Sequence, residues 1–179
     1  MRCIALVVVL AACSGMDTGL ATPDASTPTP DSRTIEDVDR QMIAEAVNVG
    51  AFARINKMPY ASTIAANNIN LYVSQDARDF RKIHPETSGT NIKMPVGTLI
   101  VRQVLDQTTG AIVKVTLMAK MASGYDPTLG DWWFGVTDPQ GVPLSDDKGP
   151  EVGRLTDCHS CHIPRATDDY LFGVPAIDQ

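Results

Sequence analysis

The sequence predicts an α+β domain, a central antiparallel β-sheet with helices before and after it. Two β-branched runs, "GTLIVRQVLD" (97–106) and "AIVKVTLMAKM" (111–121), are separated only by "QTTG", the pattern of a hairpin with a short Gly-containing loop. A third run, "WWFGVTD" (132–138), follows the turn "GYDPTLGD" and is closed by "PQG". Helical periodicity lies upstream of these strands and a Cys/His cluster lies downstream, which places the helices outside the sheet in sequence.

The elements follow in order. "MRCIALVVVLAAC" opens with Arg2 as a positive n-region, and Cys3 to Leu10 form an apolar stretch too short to span a bilayer. Leu10-Ala11-Ala12-Cys13 reads as a bacterial lipobox, cut before Cys13, which is then lipidated. The alternative is an ordinary signal cleaved after the small residues ending at Ala21. The signal is short enough that the true start can lie upstream. Residues 1–12 are thus read as a lipoprotein signal peptide, 13–33 as a lipid-anchored linker and 34–179 as the folded domain. The linker, "SGMDTGLATPDASTPTPDSR" after Cys13, has almost nothing apolar to bury. Its r.m.s. reach of about 25 Å would hold the domain just clear of the membrane. The expected location is the periplasmic side of a bacterial membrane, with membrane contact through the lipid alone, or the periplasm if the signal is simply cleaved.

Within the domain, Thr34-x-x-Asp37 resembles a capping box. Ile35, Val38, Met42, Ala46 and Val49 recur at helical spacing up to Gly50. "NINLYVS" (68–74) alternates as a strand, and "QDARDFRKI" reads as a short helix ending before Pro85. In the second hairpin arm Val113, Val115, Leu117, Ala119 and Met121 share one face, and Lys114, Thr116, Met118 and Lys120 the other.

At 179 residues the chain has room for one domain and its tails. Its formal charge is −6 and its basic residues are scattered, so nucleic acid is not an expected partner. There is no internal repeat and no dinucleotide or P-loop glycine pattern.

Export fixes the cysteine arithmetic. Cys3 leaves with the signal and Cys13 carries lipid, so the mature domain keeps Cys158 and Cys161. Cys158-His159-Ser160-Cys161-His162 fits C-x-x-C-H, the attachment signature of a c-type haem. Two thiols at this spacing can add to the vinyl groups along one porphyrin edge, and the histidine after the second then ligates iron as the axial ligand. Zinc wants four ligands, and beyond this cluster the only histidine is His84. A thioredoxin-like pair belongs in a βαβ setting, not behind an antiparallel region. His159 is expected to be a solvent-facing spacer. The sixth iron position decides function. Met58, Met94, Met118, Met121 and His84 are candidates, each with an ordinary core or surface role as the simpler reading. Trp132, Trp133 and Phe134 should alternate across the sheet, with at least one near the haem. Tyr170 and Phe172 can fold the tail back over the proximal side.

The order, a sheet first and C-x-x-C-H last, resembles the cytochrome P-460 family and its relatives, the cytochromes c′-β. The likeness rests on "NLYVSQDARDF", on "KMPVGTLIVRQVL" with Met94 where the family has an aromatic, on "VTLMAKMASGYDPTLGDWWFGVTDPQG", and on "CHSCHIPRATDDYLFG". It covers roughly residues 60 to 175.

The resemblance implies one covalently attached haem c, with Cys158 and Cys161 as thioether sites, His162 as proximal ligand and an open distal side. It implies a five-coordinate iron that binds or oxidises small nitrogen species, hydroxylamine or nitric oxide, and passes electrons to an external redox partner. Such enzymes also carry a lysine cross-linked to the haem, for which Lys93 is the first candidate and Lys82 and Lys120 follow. Glu151 and Asp138 are candidate bases. Whether the chain is an enzyme is open. The alternatives are a non-enzymatic gas-binding or electron-transfer cytochrome, and a domain that keeps the fold without haem. The relatives are often dimers, so a homodimer is an open expectation with no stripe to mark its interface.

Overall fold

A computed structural model describes residues 34–62 and 65–179. The expected signal, Cys13 and the linker fall outside the described residues. In chain order the elements are α1 (Asp37–Ala46), β1 (Ala53–Arg54), β2 (Tyr60–Ala61), β3 (Asn67–Val73), α2 (Ala77–Phe80), β4 (Leu99–Asp106), β5 (Ile112–Lys120), β6 (Trp132–Thr137), β7 (Ser145–Asp146), β8 (Gly149–Pro150), β9 (Val152–Gly153) and α3 (Thr156–His162), joined by short 3-10 turns.

The β-branched runs pair as read. A seven-stranded sheet runs β1-β3-β4-β5-β6-β9, with β2 also on β3, while β7 and β8 form a separate ribbon. Each pairing is antiparallel. The architecture is therefore mainly an antiparallel sheet with a few helices, compatible with the α+β class. Asp106 organises the β4–β5 turn, its Oδ1 accepting from the Thr108 and Thr109 amides.

Register assigns the faces. Val73, Ile100, Met118 and Phe134 lie side by side across β3 to β6, and Leu71, Arg102, Thr116 and Val136 form the next row of the same face. Tyr72, Val101, Leu117 and Gly135 make a row on the opposite face. The first face packs against Phe80, Ile83, Met94, Leu155, Leu171 and Val174, and the second against Ile43 and Ala46 of α1. The C-terminal segment and α1 thus cover opposite sides of one sheet. The alternation expected in β5 holds for Val115, Leu117, Ala119 and Met121, which lie with the α1 cluster. Val113 departs from it. The ladder shifts between Val104 and Leu105, and the extra residue leaves Val113 exposed at a bulge.

The consecutive tryptophans fall on opposite faces, as period two requires. Both are fully buried. At ~25 cal/mol per Å2 each indole contributes at most on the order of 4–6 kcal/mol. The Trp133 ring lies over Gly135, where a Cβ would stand 2.5 Å from the ring, so this strand position requires glycine. Its Nε1–H donates to Asp39 Oδ1 at 2.6 Å, while Asp39 Oδ2 accepts from the Glu36 amide at 2.7 Å. The helix start is accordingly two residues later than the sequence suggests. Glu36, not Thr34, is the cap, because the buried Asp39 serves the helix end and a tryptophan 94 residues away together. The helix also ends at Ala46, before the expected stop at Gly50.

Asp39→Ala leaves the Trp133 N–H buried without an acceptor and removes a cap bond, so urea unfolding should show a loss of about 2–3 kcal/mol. Asp39→Asn keeps an acceptor and should lose less.

Candidate functional site

The C-x-x-C-H residues lie on α3, and helical spacing explains their order of burial. Leu155, Cys158, His159 and His162 recur at i, i+3, i+4 and i+7, the pattern of a single helix face. Leu155 and Cys158 accordingly pack in the core on the side of the sheet that carries Phe134. Cys161 falls beside that face and is exposed, and both thiols are free. His159 is a correction. The expected solvent-facing spacer has a buried Nε2 with no hydrogen-bond partner among the described residues, because the helix period turns it inward with Cys158.

His162 is held from three sides. Its Nδ1 lies 2.5 Å from the Tyr170 carbonyl, and its ring meets the edges of Phe134 (centroids 5.5 Å apart) and Phe172 (5.2 Å). A carbonyl only accepts, so Nδ1 carries the hydrogen and the neutral ring keeps its lone pair on Nε2. Nε2 has no hydrogen-bond partner among the described residues. Burial holds the imidazole below the usual histidine range against the pull of the Tyr170 carbonyl, and the positive charge of Arg102 lowers it further. A neutral ring with Nδ1–H on a carbonyl and Nε2 open is the form a metal ligand takes.

The Tyr170 carbonyl is aimed by a buried charge cluster that sequence reading missed. Asp169 and Tyr170 both lie in left-handed backbone conformation, φ 54° and 64°. Asp169 is fully buried. Its Oδ1 accepts from Lys120 Nζ at 2.7 Å, its Oδ2 from the Met94 amide at 2.8 Å, and its carbonyl from Trp132 Nε1 at 2.8 Å. Asp168, also fully buried, accepts from the Thr90 amide and hydroxyl at 2.8 Å and pairs with Arg165 Nη2 at 3.1 Å. Arg165 in turn donates to the carbonyls of Leu171 and His84. Gly173 completes the clamp. The tail crosses Ile83 so closely that a Cβ would stand 1.9 Å from its carbonyl oxygen, and φ is +69°.

The other sequence candidates separate by position. Lys93 is exposed, with Nζ 3.4 Å from the Ala166 carbonyl and 3.5 Å from Asp169, beside the loop that follows the cysteines. Lys120 is nearly buried and paired to Asp169, and Lys82 pairs with Asp79 on the surface. Met94 and Met118 lie on the His162 side of the sheet, Met121 lies on the α1 side, and Met58 is exposed. The His84 ring contacts the Val174 carbonyl and Gln179, which makes it part of the tail clamp. Glu151 lies near enough to Cys158 to act on its thiol, whereas Asp138 Oδ1 is taken by the amides of Gln140 and Val142 in a turn.

Burial pushes the Cys158 thiol up to about 11, and the negative charges of Glu151, Cys161 and Asp157 add to this. A thiol raised in this way is little ionised at neutral pH, so Cys158 is not poised as the attacking thiolate of a disulfide exchange. Among the described residues no three His, Cys, Asp or Glu side chains converge as a metal-ion site. A haem iron held by one imidazole requires no such group. The residues present fit a covalently attached haem: two free thiols on one helix, an adjacent imidazole with Nε2 open, and an orphaned buried His159 Nε2 between the thiols, which a protein interior rarely tolerates without a ligand or water. Comparison with family models, curated proteins and solved structures finds no match to this chain.

Asp169→Ala strands the Lys120 ammonium in the core, and equilibrium unfolding should show a loss of about 3–5 kcal/mol. In a double-mutant cycle with Lys120→Met the two losses should fall well short of additive, because both remove the same pair.

Proposed function

We propose that the protein is an exported mono-haem c-type cytochrome of the P-460 type that binds or oxidises small nitrogen species such as hydroxylamine or nitric oxide. The observation that carries this reading is the His162 imidazole, held neutral with Nδ1–H on the Tyr170 carbonyl and Nε2 open, directly after two free thiols on one helix. In this reading Cys158 and Cys161 carry the thioether bonds and His162 Nε2 is the axial ligand. Bound there, a haem supplies an iron that accepts a nitrogen ligand and takes up electrons from it.

The chain's own residues have definable tasks. The Tyr170 carbonyl fixes the plane and the tautomer of His162 and raises the basicity of Nε2. Phe134 and Phe172 pack against the ring and cover part of it. Glu151, whose charge reaches Cys158, is the carboxylate proposed as the base that takes a proton as a nitrogen substrate is oxidised, with an external carrier receiving the electrons. Lys93 remains the lysine proposed for a haem cross-link, because it lies beside the loop after the cysteines and its amine is not buried in an ion pair. Lys120 is held by Asp169 at 2.7 Å. A second reading, gas binding without turnover, draws on the apolar side chains Ile100 and Met118 on this face of the sheet.

Protein matured in a host that attaches c-type haem should oxidise hydroxylamine with an artificial electron acceptor. It should show a strongly red-shifted ferrous Soret band that Lys93→Ala returns to the ordinary c-type position. Nitric oxide binding without turnover would favour the gas-binding reading. An ordinary Soret band in the wild type would remove Lys93 from the account.

A further inference from the structure

We infer that Arg102 and Tyr60 form a recognition subsite for a carboxylate or other small planar oxyanion on the His162 side of the sheet. Arg102 lies on β4 in the row Leu71–Arg102–Thr116–Val136, next to the row that ends at Phe134, and Phe134 touches His162. Its place is fixed by alternation. Ile100, two residues earlier, belongs to the cluster that packs Cys158, whereas Val101 belongs to the α1 side. Tyr60 on β2 packs against the same cluster as Ile100. A cation on this face needs a counter-charge, because burial here already costs the guanidinium part of its hydration.

The protein supplies little of that counter-charge. Among the described residues the only hydrogen bond of the Arg102 side chain runs from Nη2 to Ser62 Oγ at 3.1 Å, and no carboxylate pairs with it. The rest of its donor fork has no partner among the described residues. The Tyr60 hydroxyl has none either, and burial pushes it up to about 12, so it stays a protonated donor at neutral pH. The charge of Asp178 also reaches Tyr60, and Arg102 opposes it there. Ser62, which Arg102 reaches, lies two residues beyond Tyr60, so the guanidinium and the phenol bear on one region of this face, and together their donors match two oxygens on one planar centre. This chemistry has two sources in the proposed cytochrome, a propionate of the haem or a free oxyanion such as nitrite, and the inference rests on that reading for its location.

The test uses the full chain matured with haem as wild type, Arg102→Gln, Arg102→Lys and Tyr60→Phe. Nitrite titrations are followed in the optical spectrum, and resonance Raman reads the propionate modes. If the subsite takes a free oxyanion, Arg102→Gln weakens nitrite binding at least about tenfold, with Arg102→Lys in between. If it takes a propionate, nitrite titrates all forms alike while Arg102→Gln and Tyr60→Phe shift the propionate modes. Should Arg102→Gln not fold, Tyr60→Phe carries the same comparison by loss of one hydroxyl. Variants that match the wild type in both readouts overturn the inference. If haem staining of a denaturing gel finds no attached haem, the cytochrome reading fails by itself. The subsite is then measured on the haem-free chain by nitrite calorimetry. A tenfold loss in Arg102→Gln supports it, and unchanged or undetectable binding overturns it.

Discussion

The Asp169 carboxylate is the constraint on which the rest of this arrangement hangs. It is fully buried and joins three separate parts of the chain: Lys120 at the end of β5, the Met94 amide in the loop before β4, and, through its own carbonyl, Trp132 at the start of β6. Charge burial of this kind is costly unless geometry is good, and here each oxygen has a donor at 2.7 to 2.8 Å. The left-handed conformation at Asp169 and Tyr170 would be unfavourable on its own. It persists because the surrounding bonds hold it, and its product is a carbonyl aimed at His162 Nδ1. A local backbone strain is thereby converted into the choice of tautomer at the imidazole.

The sheet divides labour by parity. Trp133 faces α1 and secures the helix start through Asp39, while Trp132 and Phe134 face the C-terminal segment and position His162. One strand of six residues therefore stabilises the fold on one side and builds the site on the other. The cost of slipping its register by one residue would be the loss of both. Arg165 and Asp168 close the tail over Ile83, and Gly173 permits the contact. The residues after the cysteines thus act as the scaffold of the site, not as a loose end.

Much of this was legible in the sequence. Period-two runs marked the central strands and, Val113 apart, the faces of β5, and the spacing of Cys158, His159 and His162 marked one face of a short helix. The parts that were not legible depend on distant partners. Asp168-Asp169 looks like an ordinary exposed acidic pair until Lys120, 49 residues away, and Thr90, 78 residues away, are brought beside it. Asp39 looks like one more surface acid on an amphipathic helix until Trp133 reaches it. The inward turn of His159 was readable, since Leu155, Cys158, His159 and His162 fall at helical spacing. Arg102 carried a weaker signal, a lone charge inside an apolar strand, whose meaning depends on the face it occupies.

The central claim is that Cys158, Cys161 and His162 hold a haem, and peptide mass spectrometry of the matured protein tests it most directly. Cleavage after Arg154 and Arg165 releases the segment from Leu155 to Arg165 with both cysteines. The account predicts that this peptide carries one haem mass bound through both sulfurs. A peptide with two unmodified thiols or a Cys158–Cys161 disulfide, from a host competent to attach haem, would contradict it.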